Sequence, residues 1–249
     1  MKIRYSRQLV LLCGLLACWQ MLVLLTGVPA YIIPGPMPVA KALCANWRMF
    51  APHLGTTLAE IVLGLTLGTM LGASTALFIT ASSLLKRWLL PVLVVSQAIP
   101  VFALAPVLVL WLGYGMASKV AMAVLIIFFP VTAAFHDGMR RVNPDLLDLA
   151  QIMGASRMAV FRHIIIPSAL PAFASGMRVA TAVAPIGAVV GEWVGSSAGL
   201  GYVMLHANGR MQIDVMFAAM ALLAALSLFL YFLMDRLLNR IVFWHPNQG

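Results

Sequence analysis

Apolar runs separated by short polar breaks make up most of this chain. They cover residues 9–27, 56–79, 89–112, 117–135, 170–194 and 215–234, each close to the roughly 20 residues an α-helix needs to cross about 30 Å of hydrocarbon. Six spanning helices with short connections are therefore predicted. The first run follows Lys2, Arg4 and Arg7. It is longer than the apolar region of a signal peptide, and Gly27-Val28-Pro29-Ala30 is a poor cleavage site, so an uncleaved first span is expected. Pro34, Pro36 and Pro38 predict an extended external segment, since proline at every second position excludes helix. Residues 39–50 then suit an interfacial helix, with Lys41, Trp47 and Arg48 at headgroup level. In the second run Gly64, Gly68 and Gly72 recur every four residues and make a smooth face for close approach of another helix.

A moderately polar island interrupts the pattern between Asp145 and Pro167. Leu146, Leu149, Ala150 and Met153 follow a helical spacing and give one apolar stripe. Gly154 suits the end of that helix, Ser156 can cap the next, and Pro167 is expected to stop the pattern. Two short helices at an angle on a polar connection of about residues 137–168 form a docking element rather than a catalytic one.

Composition settles the class. Of 249 residues 63% are hydrophobic and 9% charged, with mean hydropathy +1.00; a soluble domain carries roughly a quarter charged residues. The chain is read as an all-α polytopic membrane protein, one transmembrane domain over residues 1–249. Its net charge of +9 needs no nucleic acid, because cytoplasmic loops of membrane proteins are basic. With six spans, twelve of the sixteen Lys and Arg residues fall on the side of the N-terminus and four on the other. Both ends are thus placed inside, and the island is cytoplasmic. Cys13, Cys18 and Cys44 form no closed disulfide set and have no metal-ligand spacing with histidine, so no metal is assigned.

The chain carries no His-Glu-x-x-His, no Gly-x-Ser-x-Gly and no phosphate-binding Gly-x-x-x-x-Gly-Lys-Ser/Thr loop. Any use of ATP must fall to another chain. A few polar groups lie within the spans. Pro100 frees a backbone carbonyl near the middle of the third run, and Gln97 either satisfies it or lines a path. Glu60 either pairs with a basic neighbour or faces the path. Glu192 lies near the outer end of a run already broken by Pro185, and serves as a path or gate residue or as half of a structural pair.

Asp148-Leu149-Ala150, then Gly154, then Ile164-Ile165-Ile166-Pro167 resembles the Glu-Ala-Ala…Gly…Ile-x-Leu-Pro signature of ABC importer permeases, with Asp148 for Glu, Leu149 for Ala and Ile166 for Leu. The likeness extends through His53-Leu-Gly-Thr-Thr-Leu, Leu110-Trp-Leu-Gly113-Tyr-Gly115, Gly176-Met-Arg178 and Gly191-Glu192-Trp193 to Gly199-Leu-Gly201. These look like the branch importing taurine, alkanesulfonates, nitrate and thiamine-pyrimidine precursors. The resemblance implies a type I importer fold in a bacterial inner membrane. It implies a homodimer with an ABC ATPase that holds ATP and Mg, no cofactor on this chain, and a periplasmic or lipid-anchored solute-binding protein. The island, including Ala155 and Ser156, would be the helix that couples to the ATPase. An ion-coupled secondary transporter is the alternative, for which no matching half-repeat is found.

Overall fold

The computed structural model describes residues 2–244, and the side chains of all of these except 2–9, 11, 12, 83, 94, 96 and 97. Every regular element among them is a helix. In chain order these are α1 (Lys2–Thr26), α2 (Pro36–Ala45), α3 (Trp47–Ala81), α4 (Ser83–Ala98), α5 (Val101–Leu112), α6 (Met116–Arg140), α7 (Pro144–Ile152), α8 (Arg157–Val160), a π turn (Phe161–Ile165), α9 (Ile166–Gly195), α10 (Leu200–Gly209) and α11 (Ile213–Ile241). Four continuous helices, Trp47–Ala81, Met116–Arg140, Arg157–Gly195 and Ile213–Ile241, are long and apolar enough to cross a membrane, and Cys13–Thr26 and Val101–Leu112 are shorter apolar helices.

The differences from the sequence pattern have local causes. The Pro34–Pro38 stretch is not extended throughout, because α2 starts at Pro36. Proline in a first helical turn loses nothing, since its missing N–H would have had no partner there. The helix expected over 39–50 ends at Asn46, and α3 begins one residue later. The third run forms two helices, with Ile99 and Pro100 extended between α4 and α5 (ψ 120° and 122°). Pro106 lies inside α5 without interrupting it.

The described residues fall into two compact units, one from the chain up to Thr56 together with Ser197–Ala224, the other from Thr57–Ser196 together with Ala225 onward. In the first, Val39, Ala42, Phe50, Leu200, Val203, Ala218 and Ala219 form an apolar core. Trp19 stacks on Phe217 with ring centroids 6.0 Å apart. His53 Nδ1 accepts a hydrogen bond from the Gly199 amide at 3.0 Å and its ring stacks on Tyr202, tying the start of α10 to α3.

In the second unit α3, α6 and α9 all pack on one another. The glycine ladder of α3 meets α6 as its spacing predicts. A Cβ on Gly68 would stand 2.8 Å from Ile127 Cγ2, and one on Gly64 would overlap the Ala123 methyl. A Cβ on Gly187 of α9 would stand 2.7 Å from the Cα of the same Ala123. Ala123 is thus flanked by glycine on both neighbours, at backbone-to-backbone distance. Thr132 donates across the α3–α6 contact to the Gly72 carbonyl at 3.2 Å, and Thr69 donates from α3 to Met177 Sδ of α9 at 3.1 Å. On α9, Arg178 donates through Nε to Asp235 at 2.7 Å and through Nη2 to Asn239 at 2.7 Å, and Asn239 donates to the other Asp235 oxygen at 3.2 Å.

Two outcomes test this packing. Gly187→Leu should lower the thermal stability of the detergent-purified chain, by about 1–3 kcal/mol of overpacking. Gly55→Leu should not, because nothing lies within 4 Å of that Cβ position. Arg178→Met, which leaves Asp235 without its cation, should melt earlier than the pair Arg178→Met with Asp235→Leu, because a lone charge is costlier than no charge.

Candidate functional site

Two features of the second unit carry chemistry. The first is the polar island. Asn143 starts α7 by accepting the Asp145 amide on its side chain at 3.0 Å, with Pro144 in the first helical position. The helix ends in a Schellman motif, in which Ala155 N donates to Ala150 O at 2.9 Å and Gly154 N to Gln151 O at 3.0 Å. Gly154 takes φ +72°, a conformation that glycine adopts without the steric cost other residues bear. Ser156 accepts the Ala159 amide at 3.2 Å and caps the next helix.

That next helix is not short, and Pro167 does not stop it. The chain passes from α8 through the π turn directly into α9, giving one helical rod over Arg157–Gly195. In an α-helix, Pro167 would press on the carbonyl four residues back and leave it without a donor. The π turn just before it widens the ladder, with the Ile166 amide bonded to Phe161 O, and the chain goes through without a break. The rod is 39 residues, about 58 Å at 1.5 Å per residue.

The island divides along this line. Phe161, Ile165 and Ile166 pack on the core cluster of Ala76, Phe135, Met139 and Ala169, with Ile164 and Pro167 partly buried beside them. Asp148, Leu149, Gly154, Ala155 and Ser156 are exposed, whereas Ala150 is buried under α7. Large apolar side chains crowd the exposed part: Ile152 is 84% exposed, Met153 77%, Met158 71% and Leu149 54%. The second half of the island anchors; the first half presents an apolar surface.

The second feature is a buried charge set near the far end of the rod. Glu192 of α9 is 1% exposed and accepts a hydrogen bond from Thr57 of α3 at 2.6 Å. Glu60, one turn further along α3, is fully buried beside it. Lys119 of α6, 5% exposed, places its Nζ 3.6 Å from Glu60 Oε1. That is beyond hydrogen-bond reach, and neither Glu60 oxygen has a hydrogen-bond donor among the described residues. Lys119 is one of the four cations that the sequence places on the outer side, and nothing in its sequence context named this partner. The available signal was its position within the fourth apolar run, where a cation needs an acid.

The remaining path candidates separate. Pro100 is exposed at the α4–α5 break, and Pro185 is buried within α9. The side chain of Gln97 lies outside the described residues. Among the described residues, no group of three His, Cys, Asp or Glu side chains is placed to hold a metal ion.

Residues 64–243 match the family described as binding-protein-dependent transport system inner membrane component. A probable ABC transporter permease protein of Haemophilus influenzae is 53% identical over 97% of this chain and 99% of its own length. The riboflavin transport system permease protein RibX of Chloroflexus aurantiacus is 38% identical, over 94% of this chain and 88% of its own. The formylaminopyrimidine transport permease protein ThiX of Halalkalibacterium halodurans is 36% identical over 94% of both. Among solved structures, the inward-facing MetNI methionine ABC transporter superposes with a TM-score of 0.69, covering 79% of this chain and 98% of that one. At 18% identity that likeness speaks for the fold alone, a type I importer permease. This chain belongs to the inner-membrane components of binding-protein-dependent transport systems, and is a multi-pass permease subunit of an ABC importer.

Proposed function

We propose that this permease works as a homodimer, takes its driving movement from a separate ATPase through α7, and receives solute from a binding protein on the opposite side of the membrane. ATP and Mg belong to the ATPase in this reading. The exposed apolar row of Leu149, Ile152, Met153 and Met158 carries it. Each such side chain gains about 1.5–3 kcal/mol when fully buried, so the row favours a protein cleft over water. It sits on a capped helix with a glycine-sealed end, and one tight turn, held by the Ala155–Ala150 and Gly154–Gln151 backbone bonds, joins that helix to the rod that crosses the membrane. A push on α7 then reaches α9 through that short hydrogen-bonded turn.

The solute we propose is a planar nitrogen heterocycle of the pyrimidine-precursor class. Two relatives that are similar over most of their length are named for such solutes, formylaminopyrimidine and riboflavin. Relatives named for aliphatic sulfonates and taurine are 30% and 28% identical, and their solutes are the rival class. Specificity then rests mainly with the binding protein, in keeping with the few polar groups in these spans.

Ile152→Asp with Met153→Asp should leave the chain in the membrane at normal yield and thermal stability. It should reduce co-purification of the ATPase at least tenfold and abolish uptake; undiminished co-purification would remove α7 from the interface. For the solute, titration calorimetry on the binding protein encoded beside this chain should show tight binding of formylaminopyrimidine and none of taurine. The opposite order would assign the sulfonate class.

A further inference from the structure

Glu60 and Glu192 are the only two glutamates in this chain, and the fold sets them side by side. Thr57, one turn before Glu60 on α3, donates to Glu192 of α9 at 2.6 Å. The two carboxyls face each other within hydrogen-bond reach. Lys119 of α6 is the cation of the group, 3.6 Å from Glu60 Oε1. Among the described residues, Glu192 and Lys119 are the charged side chains that act on Glu60. Glu60 is 0% exposed, Glu192 1% and Lys119 5%, so water takes little part in solvating them. With every group ionised the set carries two negative charges and one positive. The surplus negative charge would be enclosed among membrane helices, where a charge without a partner is costly.

The hydrogen bonds point the same way on separate grounds. The hydroxyl hydrogen of Thr57 goes to Glu192. Lys119 stops short of a hydrogen bond to Glu60, and both Glu60 oxygens are buried without a donor among the described residues. An ionised carboxyl only accepts, so two of them in contact have no hydrogen between them and repel. One added proton removes both defects. The charges then sum to zero, and the protonated carboxyl donates to its neighbour, giving α3 and α9 a second bond beside the Thr57–Glu192 bond. A second proton would leave the Lys119 ammonium buried without a counter-charge.

We propose that Glu60 and Glu192 form a binding site for one proton, held between the two carboxyls and balanced by Lys119, and that this proton completes the join between α3 and α9. Glu192 then acts as a hydrogen-bonding group between helices and not as an anionic wall of the solute path. Carboxyls that meet closely in a buried site share a proton for the same reason elsewhere, because two like charges at contact cannot both be carried.

With two glutamates in the chain, the test needs no substitution. Glutamate labelled with carbon-13 at the side-chain carboxyl is supplied during cell-free synthesis. The labelled permease is assembled with unlabelled ATPase in lipid nanodiscs at neutral pH. Solid-state carbon-13 NMR, and infrared difference spectra against the unlabelled assembly, then count neutral and ionised glutamates. One of each per chain is the expected result. Two carboxylates overturn the proposal, whether the surplus charge is left bare or met by a metal ion, and two neutral acids overturn it as well. Glu60→Gln sets an amide donor against Glu192 and leaves one acid with one cation, so its remaining glutamate should be wholly ionised. A neutral signal that survives in this variant overturns the sharing. Glu60→Met has the same charge count without the donor, and should melt several degrees below Glu60→Gln; equal melting overturns the part given to the proton in the join. If neither variant assembles, the count in the parent protein decides alone.

Discussion

Close contact of α6 with glycines of both α3 and α9 is the constraint on which the second unit depends. In lipid there is no hydrophobic gain from bringing two helices together, so they are held by van der Waals contact and a few polar bonds. Gly64, Gly68 and Gly72 on α3 and Gly187 on α9 let both backbones reach α6 at Ala123 and Ile127. Only at that separation can a lysine in the first turn of α6 meet an acid of α3 that lies beside an acid of α9. The buried charge set is a consequence of the small residues that surround it.

The same packing explains how the polar island acts at a distance. Phe161, Ile165 and Ile166 fasten the foot of the rod to Ala76 of α3 and Phe135 and Met139 of α6. N-terminal to that foot, Leu146, Leu149, Ile152 and Met153 stand uncovered, while Ala150 of the same helix is buried. A π turn absorbs the missing amide of Pro167, so the rod keeps its continuity at the point where proline threatened to break it. The result is a continuous helix from the turn that follows the docking surface to a buried polar node at its other end.

Much of this was legible beforehand, where the signal was local. The glycine spacing on α3, the αL glycine at 154, the Ser156 cap and the break before Pro100 all follow from the steric demands of single residues or a fixed helical period. The misread positions are those where a neighbour decides the outcome. Pro36 and Pro167 read as breakers until the first-turn position of one and the π turn before the other removed the conflict. Lys119 counts in the sequence only as one of the four outer cations, because the acid it pairs with lies 59 residues away in the chain.

By itself, then, the sequence determined the class of the molecule. Hydrophobic runs of bilayer length leave helices as the only way to satisfy the backbone in lipid, and a capped amphipathic stretch between two of them must lie at the surface. Tertiary structure alone decided which polar groups meet. An acid in a membrane span states a need for a partner without naming it, because the attraction depends on helix separation and rotation rather than on chain order. Packing Gly191 of α9 against the Lys119 backbone, 3.0 Å from the position a Cβ would take, is what brought Glu192, Glu60 and Lys119 to one point.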